Sequence, residues 1–361
     1  LRRERGSTFI VALATLAGLV AVLASFAASQ RISNQALTAR TEQARARRAA
    51  MSGIHRAMAQ LSVLATTGAQ AGQAGGGQDG NGTAITLQDE WAQLGQEGDE
   101  RFIVGNTSFR LQILDASSRI NVNNAPQALL ERLPLTANQV EALLDYRTAN
   151  QEPRPLGAKD EYYNSLPEPY NAKLRNFETI DELLQVRDFT PQTLFEPITD
   201  VQTTAQLPQD ENGTSLPLSE ILTAVSYSPE INPQGQTKIN ANAGLQTLNQ
   251  LAQRGVALPT IQAIAGRQNW TGVGEIIRSL PNLDQGQLQI LLDNVTVGGQ
   301  QRRLGRININ TASESVLSTL PNITPDLASA IVQRQSQGFA SIGEIATLPG
   351  FTATVLGDIA D

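Results

Sequence analysis

The sequence predicts an α+β fold: a long amino-terminal helix, a small antiparallel sheet and a set of inserted α-helical repeats. Three observations predict it. Residues Thr8 to Ala28 form an uninterrupted apolar run that leads directly into a segment of helical spacing. Phe109, Leu111 and Ile113 alternate as in a strand with one buried face. A basic-Ile-Asn-x-Asn phrase occurs three times, each time ahead of the same succession of short apolar segments.

The apolar run is about 20 residues long and, at a rise of about 1.5 Å per residue, matches a hydrocarbon core of roughly 30 Å. A secretory signal usually has a shorter apolar region of about 7–15 residues followed by a cleavage site and loop. Here the helical pattern continues: Ser29 to Thr67 contain no Pro and one Gly, Gly53, and Met51, Ile54, Met58, Leu61 and Ala65 recur at helical intervals. Residues 7–28 are therefore expected to span a membrane and residues 29–67 to form an amphipathic stalk. Residues 68–82 read GAQAGQAGGGQDGNG, a flexible tether with little to bury. An ordinary membrane anchor with a helical linker is the plainer alternative for this half of the chain.

Residues 83–118 hold the strands. Two strand-like runs flank Gly105-Asn106 between Arg101 and Leu114, the pattern of a hairpin. The repeats begin at Arg119-Ile120-Asn121-Val122-Asn123, return at Lys238-Ile239-Asn240-Ala241-Asn242 and again at Arg306-Ile307-Asn308-Ile309-Asn310. Each phrase leads into a short apolar helix, a turn, and a second helix ending at Arg147, Arg267 or Arg334; the Ile-to-Arg separations are 27, 28 and 27 residues. An aromatic residue with Glu five positions later follows each time, as Phe177 with Glu182, Trp270 with Glu275 and Phe339 with Glu344. The first copy carries about 25 additional residues before Phe177, among them Pro153, Pro155, Pro167 and Pro169, which read as an irregular excursion. Strand-like stretches are expected at Leu194–Val201, Ile221–Tyr227 and Leu291–Val297. The domains are thus 119–201 for the first repeat with its insertion, 202–237 for a linker and strand, 238–297 for the second repeat and 306–361 for the third. In the repeated phrase the Ile residues share one face, and the Asn side chains are expected to cap the helix that follows, near Pro126 in the first copy and Ser313 in the third.

The chain of 361 residues is 40% hydrophobic, enough for more than one core, and contains no Cys, which excludes disulfides and thiolate metal sites. Its net charge of −7 is uneven: residues 1–68 hold nine Arg against two Glu, leaving 18 basic and 32 acidic residues in 69–361. Enzymatic chemistry finds little support. The single His, His55, sits among Arg and Ala on the stalk, and no nucleophile elbow, P-loop, zinc helix or dinucleotide fingerprint is present.

The basic leader ending in Gly6, the small Ser7 and the long apolar helix resemble the type IV prepilin and pseudopilin signal. The resemblance implies a leader of residues 1–6, a cut between Gly6 and Ser7 by a prepilin peptidase, a methylated new terminus, and an amino terminus on the cytoplasmic side. Most of that family carry Glu at the fifth mature position, which here is Val11. The minor pseudopilin K of type II secretion systems characteristically lacks it, and the stretch Ile113-Leu-Asp-Ala-Ser-Ser-Arg-Ile-Asn-Val-Asn123 resembles a strand of that family. This implies a pilin-like helix and sheet interrupted by a helical domain, I- and J-type minor pseudopilins and the pseudopilus as partners, and a single-pass bacterial inner-membrane protein with a periplasmic body. Its function would be to cap the pseudopilus tip and help initiate assembly for protein export. The family usually shows two repeats rather than three. No cofactor is expected, except that family members are described with calcium, for which Asp160-Glu161 and Asp210-Glu211-Asn212 are the candidate oxygen ligands, although neither has the spacing of a defined calcium loop. The Arg residues on both sides of the apolar run leave the positive-inside count ambiguous.

The repeats also resemble helix-hairpin-helix modules, such as those of competence DNA receptors. That gives the alternative of a membrane-anchored periplasmic DNA-binding protein of the DNA-uptake type. Two features argue against nucleic acid. The Gly-rich turns that approach phosphate are replaced by Leu133–Ala137, Gly255–Pro259 and Pro321–Pro325, and the body is acidic. A repeat scaffold for an exported protein is a third possibility.

Overall fold

The computed structural model describes residues 4–74, 84–94, 101–198, 208–210, 212–280 and 283–361. These form two compact units, residues 1–63 with 94–113 and residues 64–93 with 114–361. Each is described by itself.

Helix α1 (Glu4–Ala74) runs for 71 residues, and its part up to Val63 belongs to the first unit. No Pro interrupts it, and its Ala, Leu, Gln and Arg are good helix formers. It continues through Gly68–Ala74, into the segment expected as tether, because alternating Ala and Gln there support the helix against two Gly. Residues 75–82, the rest of the expected tether, lie outside the described residues. Strands β1 (Phe102–Val104) and β2 (Thr107–Phe109) form the expected antiparallel hairpin, with Phe102 opposite Phe109. Gly105 makes the turn at φ +59°, a conformation Gly adopts without strain. The Phe102 and Phe109 rings stack at 5.3 Å, and the Arg56 guanidinium lies 4.5 Å from the Phe102 ring centre. Alternating burial persists from Thr107 to Leu114, although pairing stops at Phe109.

The second unit contains α2 (Glu90–Gln93), a 3₁₀ turn at Ala116–Ser118, and the repeats. The first repeat comprises β3 (Ile120–Asn121), α3 (Gln127–Leu130), α4 (Ala137–Arg147), α5 (Asp160–Asn164) in the insertion, a 3₁₀ turn at Ile180–Gln185, and α6 (Pro191–Phe195). Next come α7 (Leu218–Ile221), β4 (Leu222–Thr223) and β5 (Tyr227–Pro229). The second repeat comprises β6 (Ile239–Asn240), α8 (Leu245–Leu248), α9 (Gln250–Gln253), α10 (Leu258–Ala265), α11 (Val273–Ser279), α12 (Gln285–Asn294) and β7 (Val295–Thr296). After β8 (Arg302–Leu304), the third repeat has α13 (Glu314–Ser318), α14 (Pro325–Gln335), a 3₁₀ turn at Ile342–Thr347 and α15 (Ala353–Ile359).

The Ile-Asn leads of the first two repeats are short strands that pair in parallel with a later segment, Ile120 beside Leu222 in the stretch after the first repeat and Ile239 beside Val295 at the end of the second. The third lead docks on the 3₁₀ turn instead, Asn308 N–H donating to the Ser117 carbonyl at 2.8 Å. Antiparallel β5 and β8 close the base of the second repeat, with Tyr227 opposite Leu304.

Two expected strands are different. Leu194 belongs to α6, because Thr190 accepts the Thr193 N–H and Pro191 occupies the first turn; residues 199–201 of that stretch lie outside the described residues. Leu291–Asn294 complete α12, whose buried Leu288, Leu291 and Leu292 follow helical rather than alternate spacing. Ile120, Leu133 and Leu143 of the first repeat share one core with Leu317, Ile331 and Leu356 of the third. The second repeat builds a smaller core around Leu251, Ile264, Trp270 and Leu291.

Candidate functional site

On α1 the apolar residues of the expected membrane span face outward: Phe9, Leu16, Leu19 and Phe26 are all more than half exposed, and Val11 is 62% exposed. This helix is long and apolar enough to cross a membrane. Gly6 and Ser7 lie within its helical backbone, but their side chains are outside the described residues. His55 is exposed on the stalk.

In the repeat body the Asn pairs do something other than cap helices. The first Asn of each phrase folds back on the second: the Asn121, Asn240 and Asn308 side-chain oxygens accept the N–H of Asn123, Asn242 and Asn310 at 2.9, 3.0 and 3.0 Å. That turn aims the second Asn at the distant aromatic residue. Asn123 Oδ1 accepts Phe177 N–H at 2.7 Å while its Nδ2 donates to the Phe177 carbonyl at 2.9 Å. Asn242 makes the same pair with Trp270 at 2.7 and 2.9 Å, and Asn310 with Phe339 at 2.7 and 2.9 Å. An amide presents one acceptor and a donor side by side, so it satisfies both backbone groups of one residue. Each clamp joins the start of its repeat to its second half. The helices expected to be capped by Asn start instead at Pro126, Gly244 and Ser313, of which only Ser313 supplies a side-chain cap.

The terminal Arg of the second helix covers the clamped ring in two copies. Arg267 lies 4.4 Å from the Trp270 ring centre and pairs with Glu275; Arg334 lies 5.4 Å from Phe339 and 3.3 Å from Glu344. In the first copy Tyr146 stacks on Phe177 at 5.7 Å, and Lys173 takes Glu182 at 2.5 Å. Arg147 is thereby released to bond the Val122 and Ala125 carbonyls, the place that Gln335 fills in the third copy against Ile309 and Ala312. Burial lowers the Arg147 guanidinium to about 10.

A second polar assembly links the second and third repeats. The Lys238 ammonium is buried and donates to the Leu292 carbonyl at 2.9 Å; burial, followed by the nearby Arg306 charge, lowers it to about 8. Lys238, Asp293 and Arg306 line a cavity of about 220 Å³. Glu230 is 3% exposed beside Arg306 at 3.9 Å, and among the described residues neither Glu230 carboxylate oxygen has a hydrogen-bond partner. Asp293 accepts Gly343 N–H at 2.8 Å and Ser341 Oγ–H at 2.9 Å, while burial pushes its carboxyl up. Asp361 accepts the Val273 and Gly274 N–H groups at the start of α11 and meets Arg303 at 3.3 Å. Acids and bases alternate here as a structural joint.

Of the candidate calcium residues, Asp160 and Asp210 each use one carboxylate oxygen, Oδ1, within the protein. Asp160 accepts Ala172 N–H at 2.8 Å, Asp210 accepts Asn212 and Thr214 N–H at 2.9 and 2.7 Å, and Glu211 lies outside the described residues. Among the described residues no three carboxylate or His side chains converge as metal ligands. Several N–H groups of the hairpin turns are occupied: Thr136 and Ala257 donate to the Gln139 and Gln287 side-chain oxygens at 2.9 and 3.0 Å, and Val256 and Ile323 to the Leu251 and Leu320 carbonyls at 3.0 and 3.3 Å.

Two family models match the chain, both described as type II secretion system (T2SS), protein K: one over residues 110–196 and one over residues 307–359. They coincide with the first repeat and its approach, and with the third repeat; the second repeat falls in neither. Among solved structures, the chain resembles one in the GspK-GspI-GspJ complex from the enterotoxigenic Escherichia coli type 2 secretion system, at 16% identity and a TM-score of 0.32, over 73% of this chain and 87% of that one. No curated protein matches the sequence.

Proposed function

We propose that the chain is a minor pseudopilin of the type II secretion system protein K family, whose models match residues 110–196 and 307–359, and that it caps the pseudopilus tip and helps initiate its assembly for protein export. The observation that carries this reading is the character of α1 at Val11: an exposed apolar side chain stands where most pseudopilins place a carboxylate. A carboxylate within an apolar span costs about 2.5–3.5 kcal/mol unless a partner compensates it. A subunit without one makes no demand for the terminal amine of a neighbour above it, which suits the end of a filament.

In this reading the leader 1–6 is removed between Gly6 and Ser7 by a prepilin peptidase, and the new terminus stays on the cytoplasmic face of the bacterial inner membrane. The helix crosses once, and the repeat body stands in the periplasm. Its proposed partners are the I- and J-type minor pseudopilins, the proteins that stand with GspK in the Escherichia coli complex. The repeats act as a rigid structural body; the Asn clamps are its internal fastenings.

Intact mass of the protein expressed with and without a prepilin peptidase tests the reading. Loss of residues 1–6 supports it. An unchanged amino terminus in the presence of active peptidase contradicts it and returns the DNA-uptake alternative, to be checked by salt-dependent binding to duplex DNA.

A further inference from the structure

The cavity between the second and third repeats is short of hydrogen-bond acceptors. Two cations on its wall have donors to spare. Among the described residues the Lys238 ammonium reaches the Leu292 carbonyl at 2.9 Å and no other acceptor, and Arg306 Nε is buried with none. The two carboxylates on the same wall already accept on both oxygens. Asp293 takes Gly343 N–H on Oδ1 and Ser341 Oγ–H on Oδ2. Asp115 takes Ser117 N–H on Oδ1 at 2.8 Å, and Asn308 Nδ2–H and Thr311 Oγ–H on Oδ2 at 2.9 and 2.7 Å. Glu230 does not line the cavity and stands 3.9 Å from Arg306, beyond hydrogen-bond reach. Burial lowers both Lys238 and Arg306, and an accepting anion beside them would reverse that cost.

Shape and surroundings narrow the ligand. About 220 Å³ has room for about seven waters at roughly 30 Å³ each, or for one group of about ten heavy atoms. The rest of the wall is largely apolar, with Ile231, Ile307 and Phe339 along it. Ile85 and Tyr227, 54% and 48% exposed, mark where it opens. Arg302 lies 4.8 Å from the Tyr227 ring centre at that opening. Arg302, Arg303 and Arg306 place three of the 18 basic residues of 69–361 within five positions, a positive spot on an acidic body. Such a spot draws an anion to the opening. A phosphate or sulfate would suit the cations and leave the apolar wall uncovered.

We infer that this cavity binds a carboxylate on a short apolar or aromatic stem, the carboxylate accepting from Lys238 and Arg306 and the stem lying against Ile231, Ile307 and Phe339. A free small acid and the carboxyl-terminal residue of a polypeptide share that chemistry. The inference concerns the repeat body alone and holds wherever the chain stands in a filament.

Lys159, Lys173 and Lys238 are the only lysines of the chain, so full-length protein labelled with carbon-13 at lysine Cε gives three signals, and Lys238→Met identifies one of them. The detergent-solubilised protein is titrated with 4-fluorobenzoate, and with 4-fluorobenzamide as the neutral isostere. The benzoate is expected to saturate, to move the Lys238 signal and to leave those of Lys159 and Lys173 in place. The benzamide is expected to bind about tenfold more weakly or not at all. This comparison uses the unaltered protein and is independent of how a variant folds. Lys238→Met should weaken benzoate about tenfold, and Arg175→Gln, far out on the exposed surface, should leave it unchanged. With benzoate bound, the titration midpoint of Lys238 should rise. N-Acetyl-Gly-Gly-Leu separates the sources: its binding assigns a chain terminus, and its exclusion while benzoate binds assigns a free acid. Equal affinity for benzoate and benzamide, a response that does not saturate, or undiminished binding to Lys238→Met overturns the site and leaves a water-filled joint.

Discussion

In the third repeat the clamping Asn310 is 4% exposed and holds a Phe339 that is 1% exposed, whereas in the second repeat Trp270 is equally enclosed but its clamp, Asn242, is open to solvent. The hydrogen bonds are nearly the same length in both. What differs is the surrounding core: the third repeat shares a large one with the first, while the second packs around its own smaller cluster and is closed at its base by β5 and β8. Identical local chemistry therefore has unequal energetic weight, because the cost of an unmade hydrogen bond rises with the burial of the group left behind.

That comparison is sharpest when the three clamps are removed in turn. Asn310→Ala leaves two buried backbone groups without partners and is expected to destabilise the protein by about 3–4 kcal/mol. Asn123→Ala, half-buried, should cost about 2 kcal/mol, and Asn242→Ala, where water replaces the amide, about 1 kcal/mol. Thermal unfolding of the detergent-solubilised protein reads all three; equal losses would show that burial does not set the weight.

The joint between the second and third repeats gives a pH signature. Lys238 is held near 8, below its ordinary value of 10.5, so between those pH values the unfolded chain binds more protons than the folded one. Stability then climbs with pH across that window, by about 3 kcal/mol in total from this group. Lys159 is shifted downward by burial as well and acts in the same direction. Comparing the protein with Lys238→Met isolates the first contribution: the climb flattens in the variant. A climb of unchanged size would assign it elsewhere.

Gly343 lies where α12 meets the third repeat, and a Cβ there would stand 2.8 Å from the Asp293 carboxyl carbon and crowd the Gln289 carbonyl. Gly343→Ala should cost about 2 kcal/mol and loosen the second repeat first, which hydrogen exchange in α11 and α12 would detect. The smallest effect is expected at Leu245, 54% exposed at the first position of α8, where the corresponding helices begin with Gln127 and Glu314. Leu245→Gln should shift stability by less than about 0.5 kcal/mol.

The anchor helix, the hairpin at Gly105 and the threefold repeat were legible because each is written in local spacing. The Asn clamps were visible as residues but not as contacts. Asn123 and Phe177 are 54 residues apart, against 28 for Asn242 and Trp270, and the insertion concealed the correspondence. A fixed Asn and a fixed aromatic in every copy were the available signal. Capping was the wrong assignment because the first Asn of each pair turns onto the second, leaving helix starts to Pro126, Gly244 and Ser313. The joint of Glu230, Lys238, Asp293, Arg303, Arg306 and Asp361 had no local pattern, since its members meet only after two repeats have folded. Leu291–Asn294 were misassigned as strand because an apolar run of four or five residues suits either structure, and here the preceding turns of α12 decide.

The central claim concerns position in a filament. Pseudopili sheared from cells and labelled with gold against this body would locate it directly. The account predicts label confined to one end of each fibre, and label distributed along the fibres or absent from them would contradict it.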